Sequence, residues 1–416
     1  MLTEAAGSGV MPNMAHILGR WGARPMQASI PEISAVSWSG FMTGTHSGRH
    51  GIYGFVDLVK CGYQYRFPDF RDLRCPAFFD RLGALKMRSV VINLPSTYPA
   101  REIPGILVSG FVAPELNHAV APVRYLPVLK QMGYRVDIDA EKGRRQPMEF
   151  MSELNYSLEV RREAAEYFWS QDDWHLFSLT ITGTDRLFHF MFDAFKDTRH
   201  PFHDEFHRYL NKVDRVIGDL FAKIDGRDEF EFMMLSDHGF VGLREEVYLN
   251  PILKNHGFLS HEGRQLSSPE NIGGNTLAFV LDPARIYIHT RERYARGRVE
   301  RTDALRIRQD LKRLFQEYRI DGQPVIEKVL SGEEVYGDAA MGEAPDLVLL
   351  SRPGFDLKAG MKKEVEHGTT HFTGMHRWDN AFLLCSRPDL LGEPISIFNV
   401  YDLVFKLLSV PVPTAC

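Results

Sequence analysis

The chain has 416 residues, 44% of them hydrophobic and 25% charged, with a formal net charge of −5. That length allows two or three domain-sized units, or one large α/β domain with insertions, around a core of ordinary size. The composition is that of a soluble globular chain, and its slight acidity offers no basic field for a nucleic acid polymer, although a local basic pocket for phosphate stays open.

The start, MLTEAAGSGVMPNM, has neither a basic n-region nor an apolar h-region, so no signal peptide is read there. Buried strands are expected at SVVINLP (89–95), GILVSGF (105–111), WHLFSLTIT (174–182), EFMMLSD (231–237), DLVLLS (346–351) and NAFLLCS (380–386). These apolar runs are continuous rather than alternating, which suits strands covered on both faces. Residues 152–170 and 203–225 carry helical periodicity with mixed charges. Strands alternating with helices predict a mostly parallel sheet with helices on both faces. The stretch 260–300 is richer in Gly, Ser, Asn and Arg, and IYIHTR within it reads as an edge strand. Residues 250–340 are therefore expected to form an inserted cap subdomain, with 1–249 and 341–416 forming the main α/β domain. Gly360–Thr373 reads as a polar loop at strand ends, where α/β sheets place their sites. No run approaches the ~18 apolar residues of a membrane span. Cys61, Cys75, Cys385 and Cys416 are scattered, which speaks against a disulfide scaffold or thiolate zinc site and for a reducing, cytoplasmic setting.

Four clusters carry chemistry. In PEISAVSWSGFMTGTHSGRHGIYGF (31–55), Ser34 is placed to cap a short helix over Ala35–Met42. A hydroxyl at a helix start lies where backbone N–H groups and the dipole favour phosphate oxygens, so nucleophile and simple cap are both open readings. In TITGTDRLFHFMFD (180–193), Asp185 and His189 are four apart, on one face of a helical turn. Carboxylate plus imidazole suits a divalent ion such as zinc, against a helix cap and a buried histidine. In FMMLSDHGF (232–240) a strand runs straight into Asp237, His238 and a turn glycine. In HGTTHFTGMHRWDNAFLL (367–384), His367, His371 and His376 precede a strand, and at least one of them is expected on the surface. A hydroxyl, two Asp–His pairs and a late histidine, each at a strand end, fit two divalent ions binding a phosphate between them.

These motifs, together with NLPSTYPAREIPGILVSGFVAP (93–114), resemble the type I phosphodiesterase/nucleotide pyrophosphatase branch of the alkaline phosphatase superfamily across nearly the whole chain. The resemblance implies an alkaline-phosphatase-like α/β sandwich and hydrolysis of a small organic phosphate ester through a phospho-Ser34 intermediate. It implies two divalent ions, zinc most often or manganese: one held by Asp185, His189 and His376, the other by Asp237, His238 and Ser34. Ser34 stands nine residues before Thr43-Gly44, where most members carry Thr. The pattern also implies a strand ending in a metal-binding Asp ahead of the segment resembling MPNMAHILGRWGARP (11–25), but the ten residues before that segment contain Glu4 and no Asp. A start further upstream, substitution by Glu4 or water, and loss of turnover are the alternatives. On substrate, a diester or pyrophosphate is the first expectation, a phosphomonoester the second, and a pseudoenzyme that binds without turnover the third. The pocket is expected to be built by 57–75 and 250–340, with Tyr53, Tyr63, Tyr65 and Phe67 as candidates for an aromatic slot.

Overall fold

The computed structural model describes residues 1–140, 142–171, 173–263, 266–340, 342–414 and 416. The first half of the chain gives α1 (Leu2–Gly7), α2 (Pro12–Trp21), β1 (Arg24–Met26), α3 (Ser34–Thr43), β2 (Ser89–Leu94), β3 (Gly105–Ser109) and β4 (Val120–Ala121). Then come α4 (Pro147–Trp169), β5 (Leu176–Leu179), α5 (Gly183–Met191), α6 (His203–Ala222), β6 (Met233–Leu235), β7 (Gly239–Gly242) and β8 (Glu245–Tyr248). The remainder adds β9 (Ala278–Leu281), β10 (Arg285–Ile288), α7 (Arg301–Glu317), β11 (Ile326–Ser331), β12 (Leu347–Ser351), β13 (Phe355–Lys358), β14 (Gly374–Arg377), β15 (Ala381–Cys385) and α8 (Asn399–Leu407).

Every apolar run expected to be a strand is one. β2 and β3 pair in parallel, β2 also pairs in parallel with β5, and β4 closes the far edge antiparallel, giving the order β4-β3-β2-β5. A second sheet, β1-β15-β6, is antiparallel throughout. The architecture is thus a mixed α/β sandwich, more antiparallel than the alternation of elements predicted. β2 and β3 are buried along their whole length, as β-branched runs covered on both faces should be. On α6 the apolar stripe Phe206, Tyr209, Leu210, Val213, Ile217 and Phe221 follows helical spacing and turns inward, with Asp204 and Glu205 complementing the dipole in its first turn.

Residues of the 250–340 stretch contribute β9, β10 and β11, which join β12 in the sheet β9-β10-β12-β11. That sheet shares a hydrophobic cluster running from Val247 to Ala359, with Tyr63 included. β10, which holds the start of IYIHTR, is an interior strand paired on both flanks and not an edge. β9 and β12 pair its backbone on both flanks, a pairing invisible in local composition, and its Ile286 and Ile288 are fully buried in the hydrophobic cluster. Gly360–Thr373 is loop apart from a two-residue strand at His367–Gly368. Cys75 and Cys416 form a disulfide across 341 positions, against the reading of the scattered cysteines as those of a reducing setting. Cys61 and Cys385 are free. Among the described residues no helix is long and apolar enough to cross a membrane.

Candidate active site

Ser34 opens α3 rather than preceding it. Ile33 occupies the cap position, and no side chain caps this helix. The Ser34 hydroxyl instead meets His238 Nε2 at 3.1 Å. Asp185 lies in the first turn of α5 and His189 in its last, so the spacing of four does place them on one face. Asp237 and His238 form the turn from β6 into β7. A Cβ on the next residue, Gly239, would lie 1.5 Å from Asn380 Oδ1, so only glycine lets the turn close here. His376 sits on β14, which pairs antiparallel with β7 in a register that sets His376 opposite Phe240.

These six residues meet at one place. Asp185 Oδ1 is 3.1 Å from His376 Nε2, 3.6 Å from His189 Nε2 and 3.7 Å from His238 Nε2. His189 Nε2 and His376 Nε2 are 2.8 Å apart, and Asp237 Oδ2 is 3.4 Å from His238 Nε2. Asp185, His238 and His376 offer ligand atoms all within 4.8 Å of one another. Asp185 and His376 therefore stand between His189 and His238, linking the two ligand sets that the resemblance keeps separate.

The far nitrogens fix the chemistry of the near ones. His376 Nδ1 faces the Glu32 carbonyl at 3.1 Å, His189 Nδ1 the Gly374 carbonyl at 3.2 Å, and His238 Nδ1 the Gly239 carbonyl at 3.2 Å. A carbonyl only accepts, so each Nδ1 carries the proton and donates it, and each Nε2 presents a lone pair to the centre. Two lone pairs 2.8 Å apart, a carboxylate oxygen beside them and a buried Asp237 Oδ2 without a hydrogen-bond partner form a donor set that a divalent cation satisfies.

The electrostatics agree. Burial disfavours the Asp185 carboxylate, but the neighbouring His189, the contact with His376 and the Arg186 guanidinium outweigh it and hold the group well below the usual carboxylate range. Burial and the neighbouring His238 push His376 down to about 4, and burial likewise lowers His189, so both imidazoles are neutral near pH 7. Arg186, stacked on Phe111 at 4.3 Å, bridges Asp185 at 3.3 Å and Asp137 at 2.6 Å.

Sequence reasoning missed four wall residues. Glu32, raised to about 7 by burial, lines the same cavity as Ser34, as do Arg186, Asp356 and Lys358. Lys358 Nζ is 2.8 Å from Asp356 Oδ2. Glu32 and Arg186 adjoin predicted residues and could have been found by proximity in the chain; nothing local marks Lys358. Other expectations fail. The cavity draws Asp282, Pro283 and Ala284 from the 250–340 stretch and nothing from 57–75. None of the four expected aromatics lines it: Tyr53 packs on Tyr336, Tyr63 bonds His289 at 2.6 Å, and Tyr65 and Phe67 face solvent. His367 is exposed beside Glu245, and His371 is exposed and stacked on Phe190. Glu4 is exposed on α1, 3.8 Å from Lys196, and does not join the cluster.

A model of the type I phosphodiesterase/nucleotide pyrophosphatase family matches residues 2–379. The chain belongs to this family. Its fold is also that of solved alkaline phosphatase superfamily members. Phosphonoacetate hydrolase from Sinorhizobium meliloti 1021, in complex with phosphonoacetate, is 14% identical with a TM-score of 0.62, covering 97% of this chain and 91% of that one. Murine ectonucleotide pyrophosphatase/phosphodiesterase 5 is 11% identical with a TM-score of 0.56 over 98% and 92%. The alkaline phosphatase PafA is 12% identical with a TM-score of 0.57 over 97% and 92%. No curated relative matches the sequence. Type I phosphodiesterases are phosphoric ester hydrolases, and this chain is one of them.

Proposed function

We propose that this protein hydrolyses a small organic phosphodiester or pyrophosphate with Ser34 as nucleophile and two divalent ions, zinc or manganese. Asp185, His189 and His376 would hold one ion, and Asp237, His238 and Ser34 the other. The observation that carries this reading is the convergence of three Nε2 lone pairs and Asp185 Oδ1, with the Ser34 hydroxyl 3.1 Å from His238 Nε2. Bound ions supply charge neutralisation and lower the pKa of a coordinated hydroxyl or water.

The protein's own part is positioning. The 3.1 Å contact between Ser34 Oγ and His238 Nε2 holds the hydroxyl beside the nitrogen that would ligate the ion, so Nε2 would give its lone pair to a bound ion with the Ser34 oxygen as the neighbouring ligand. The start of the ten-residue helix α3 favours the phosphoryl oxygens through its first-turn amides and dipole. Attack forms a bond from Ser34 Oγ to phosphorus as one alkoxide or phosphate group leaves and the serine proton is lost, and water then cleaves that bond, restoring the hydroxyl and releasing the remaining phosphomonoester. Small phosphate-containing ligands fit the precedent of a murine neighbour solved in complex with AMP and a bacterial one with phosphonoformate.

A phosphomonoester is the second reading, favoured by one observation: the Lys358 ammonium lines the cavity and would offset a dianionic group on exchanging its Asp356 partner, 2.8 Å away, for the phosphate. The residues 250–340 would serve as the substrate-facing subdomain. The Cys75–Cys416 bond removes the support that scattered cysteines lent to a cytoplasmic location. The deciding experiment is elemental analysis for metal together with turnover of bis(p-nitrophenyl) phosphate and p-nitrophenyl phosphate. Faster diester turnover supports the first reading and faster monoester turnover the second. Less than one metal per chain with no turnover of either leaves a binding protein.

A further inference from the structure

The two oxygens of Asp185 have different neighbours. Oδ1 is the one beside the imidazoles, 3.1 Å from His376 Nε2 and 3.6 Å from His189 Nε2. Oδ2 instead accepts from Arg186 Nη1 at 3.3 Å. An ionised carboxylate can offer a cation either oxygen or both, and here one of the two is already engaged.

The guanidinium that engages it is also held by two other groups. Nη2 donates to Asp137 Oδ2 at 2.6 Å, and the guanidinium carbon lies 4.3 Å over the Phe111 ring. Phe111 is in turn braced edge-on by Phe55, with ring centres 5.3 Å apart. Asp137 follows Val136, whose carbonyl accepts from the buried Arg161 at 2.7 Å. The Arg186 side chain is only 15% exposed, so its planar fork is fixed in direction before any ligand arrives.

The number of donor atoms follows from this contact. With Oδ2 reserved, Asp185, His189 and His376 supply one oxygen and two nitrogens and leave a fourth position open, the pattern of a catalytic zinc. With Oδ2 released, the carboxylate can bind through both oxygens, and the set gains a fourth atom and more oxygen character. That suits ions of higher coordination number that seek oxygen, manganese among them. The guanidinium charge also offsets that of Asp185, on which such an ion depends more than one bound through imidazole nitrogen.

We infer, resting on the assignment of Asp185, His189 and His376 to one ion, that Arg186 sets metal choice at this centre by holding Asp185 Oδ2, which keeps the carboxylate to a single ligating oxygen and favours zinc over manganese. Arg186 acts through Asp185 and is a positioning residue.

The test is a competitive chelator titration of the metal-free full chain with zinc and with manganese, in wild type, Arg186→Gln and Asp137→Asn. In wild type, zinc should bind the tighter. In Arg186→Gln the ratio of the manganese to the zinc dissociation constant should fall about ten-fold or more for one of the two ions. Asp137→Asn keeps the Nη1 contact to Oδ2 and should keep the wild-type ratio. Cobalt loaded in place of zinc reports the coordination number. Wild type should show the intense visible bands of a four-coordinate ion, and these should weaken in Arg186→Gln. The wild-type spectrum stands even where a variant fails to fold. An unchanged ratio in Arg186→Gln, an equal fall in Asp137→Asn, or wild-type cobalt without four-coordinate bands overturns the role of Arg186 and leaves the ligand assignment in place. A wild type that binds neither zinc nor manganese overturns both.

Discussion

Replacing Ser34 by Ala separates a nucleophile from a structural serine. The substitution removes one oxygen, whose hydrogen bond in the structure is the one to His238 Nε2 at 3.1 Å. Since the side chain caps nothing, the expected stability loss is that of a single hydrogen bond, about 0.5–1.5 kcal/mol. A nucleophile, by contrast, has no substitute: kcat/KM for bis(p-nitrophenyl) phosphate with zinc or manganese should fall by roughly 10³ or more, which is about 4 kcal/mol of barrier. Thermal melts by circular dichroism supply the stability arm. Ser34→Thr, which keeps the hydroxyl, should stay within about ten-fold of wild type. If Ser34→Ala keeps more than about a tenth of the wild-type kcat/KM, the hydroxyl is not the attacking group and the reasoning fails.

His376→Ala removes the imidazole that stands between Asp185 and His189. The variant should bind zinc at least about ten-fold more weakly in a competitive chelator titration, and wild-type affinity would show that His376 ligates nothing. Stripping metal from the wild type should lower its thermal midpoint, by the equivalent of about 2.7 kcal/mol if the ion had been present at a hundred times its dissociation constant. His50 is fully buried, with Nδ1 accepting from Ile52 N–H, and burial pushes its pKa down to about 3. The unfolded chain takes up that proton first, so stability contributed by neutral His50 is complete above about pH 6.5 and lost as pH falls towards 3. Denaturant melts should show a slope of about 1.4 kcal/mol per pH unit through pH 5 that shrinks in His50→Gln. Arg285 is fully buried and donates to the Val56 carbonyl at 2.6 Å and, through Nε, to the Asp282 carbonyl at 3.0 Å. Arg285→Met strands both carbonyls and should cost about 3 kcal/mol in urea unfolding, whereas a loss below about 1 kcal/mol would mean that water replaces the guanidinium.

The parts of this protein that could be read from its sequence are those specified locally. Val90, Val91 and Ile92 announce a buried strand because strand preference and burial coincide there. Asp185 and His189 announce a shared helical face because helix geometry fixes four-residue spacing. The ligand grouping, however, came from family resemblance, since no local rule says that His376 will meet Asp185. What escaped was set by contacts distant in the chain. β10 is interior only because β12, some sixty positions later, lies beside it. Cys75 reaches Cys416 across the fold, and Tyr63 is consumed by His289 rather than offered to a ligand. Lys358 reaches the cavity wall through the placement of β13, which its neighbours in sequence do not foretell.

The three imidazoles are aimed by main-chain carbonyls, those of Glu32, Gly374 and Gly239, rather than by side chains. Every residue type carries a carbonyl, so the aim of His376 does not depend on what occupies position 32. That freedom is confined to position 32: a Cβ on Gly239 would lie 1.5 Å from Asn380 Oδ1 and one on Gly374 2.3 Å from the Phe188 carbonyl oxygen. Insertions or deletions near any of the three would move the carbonyls themselves. A variant library should accept many residues at 32, and few at 239 and 374 or changes of length.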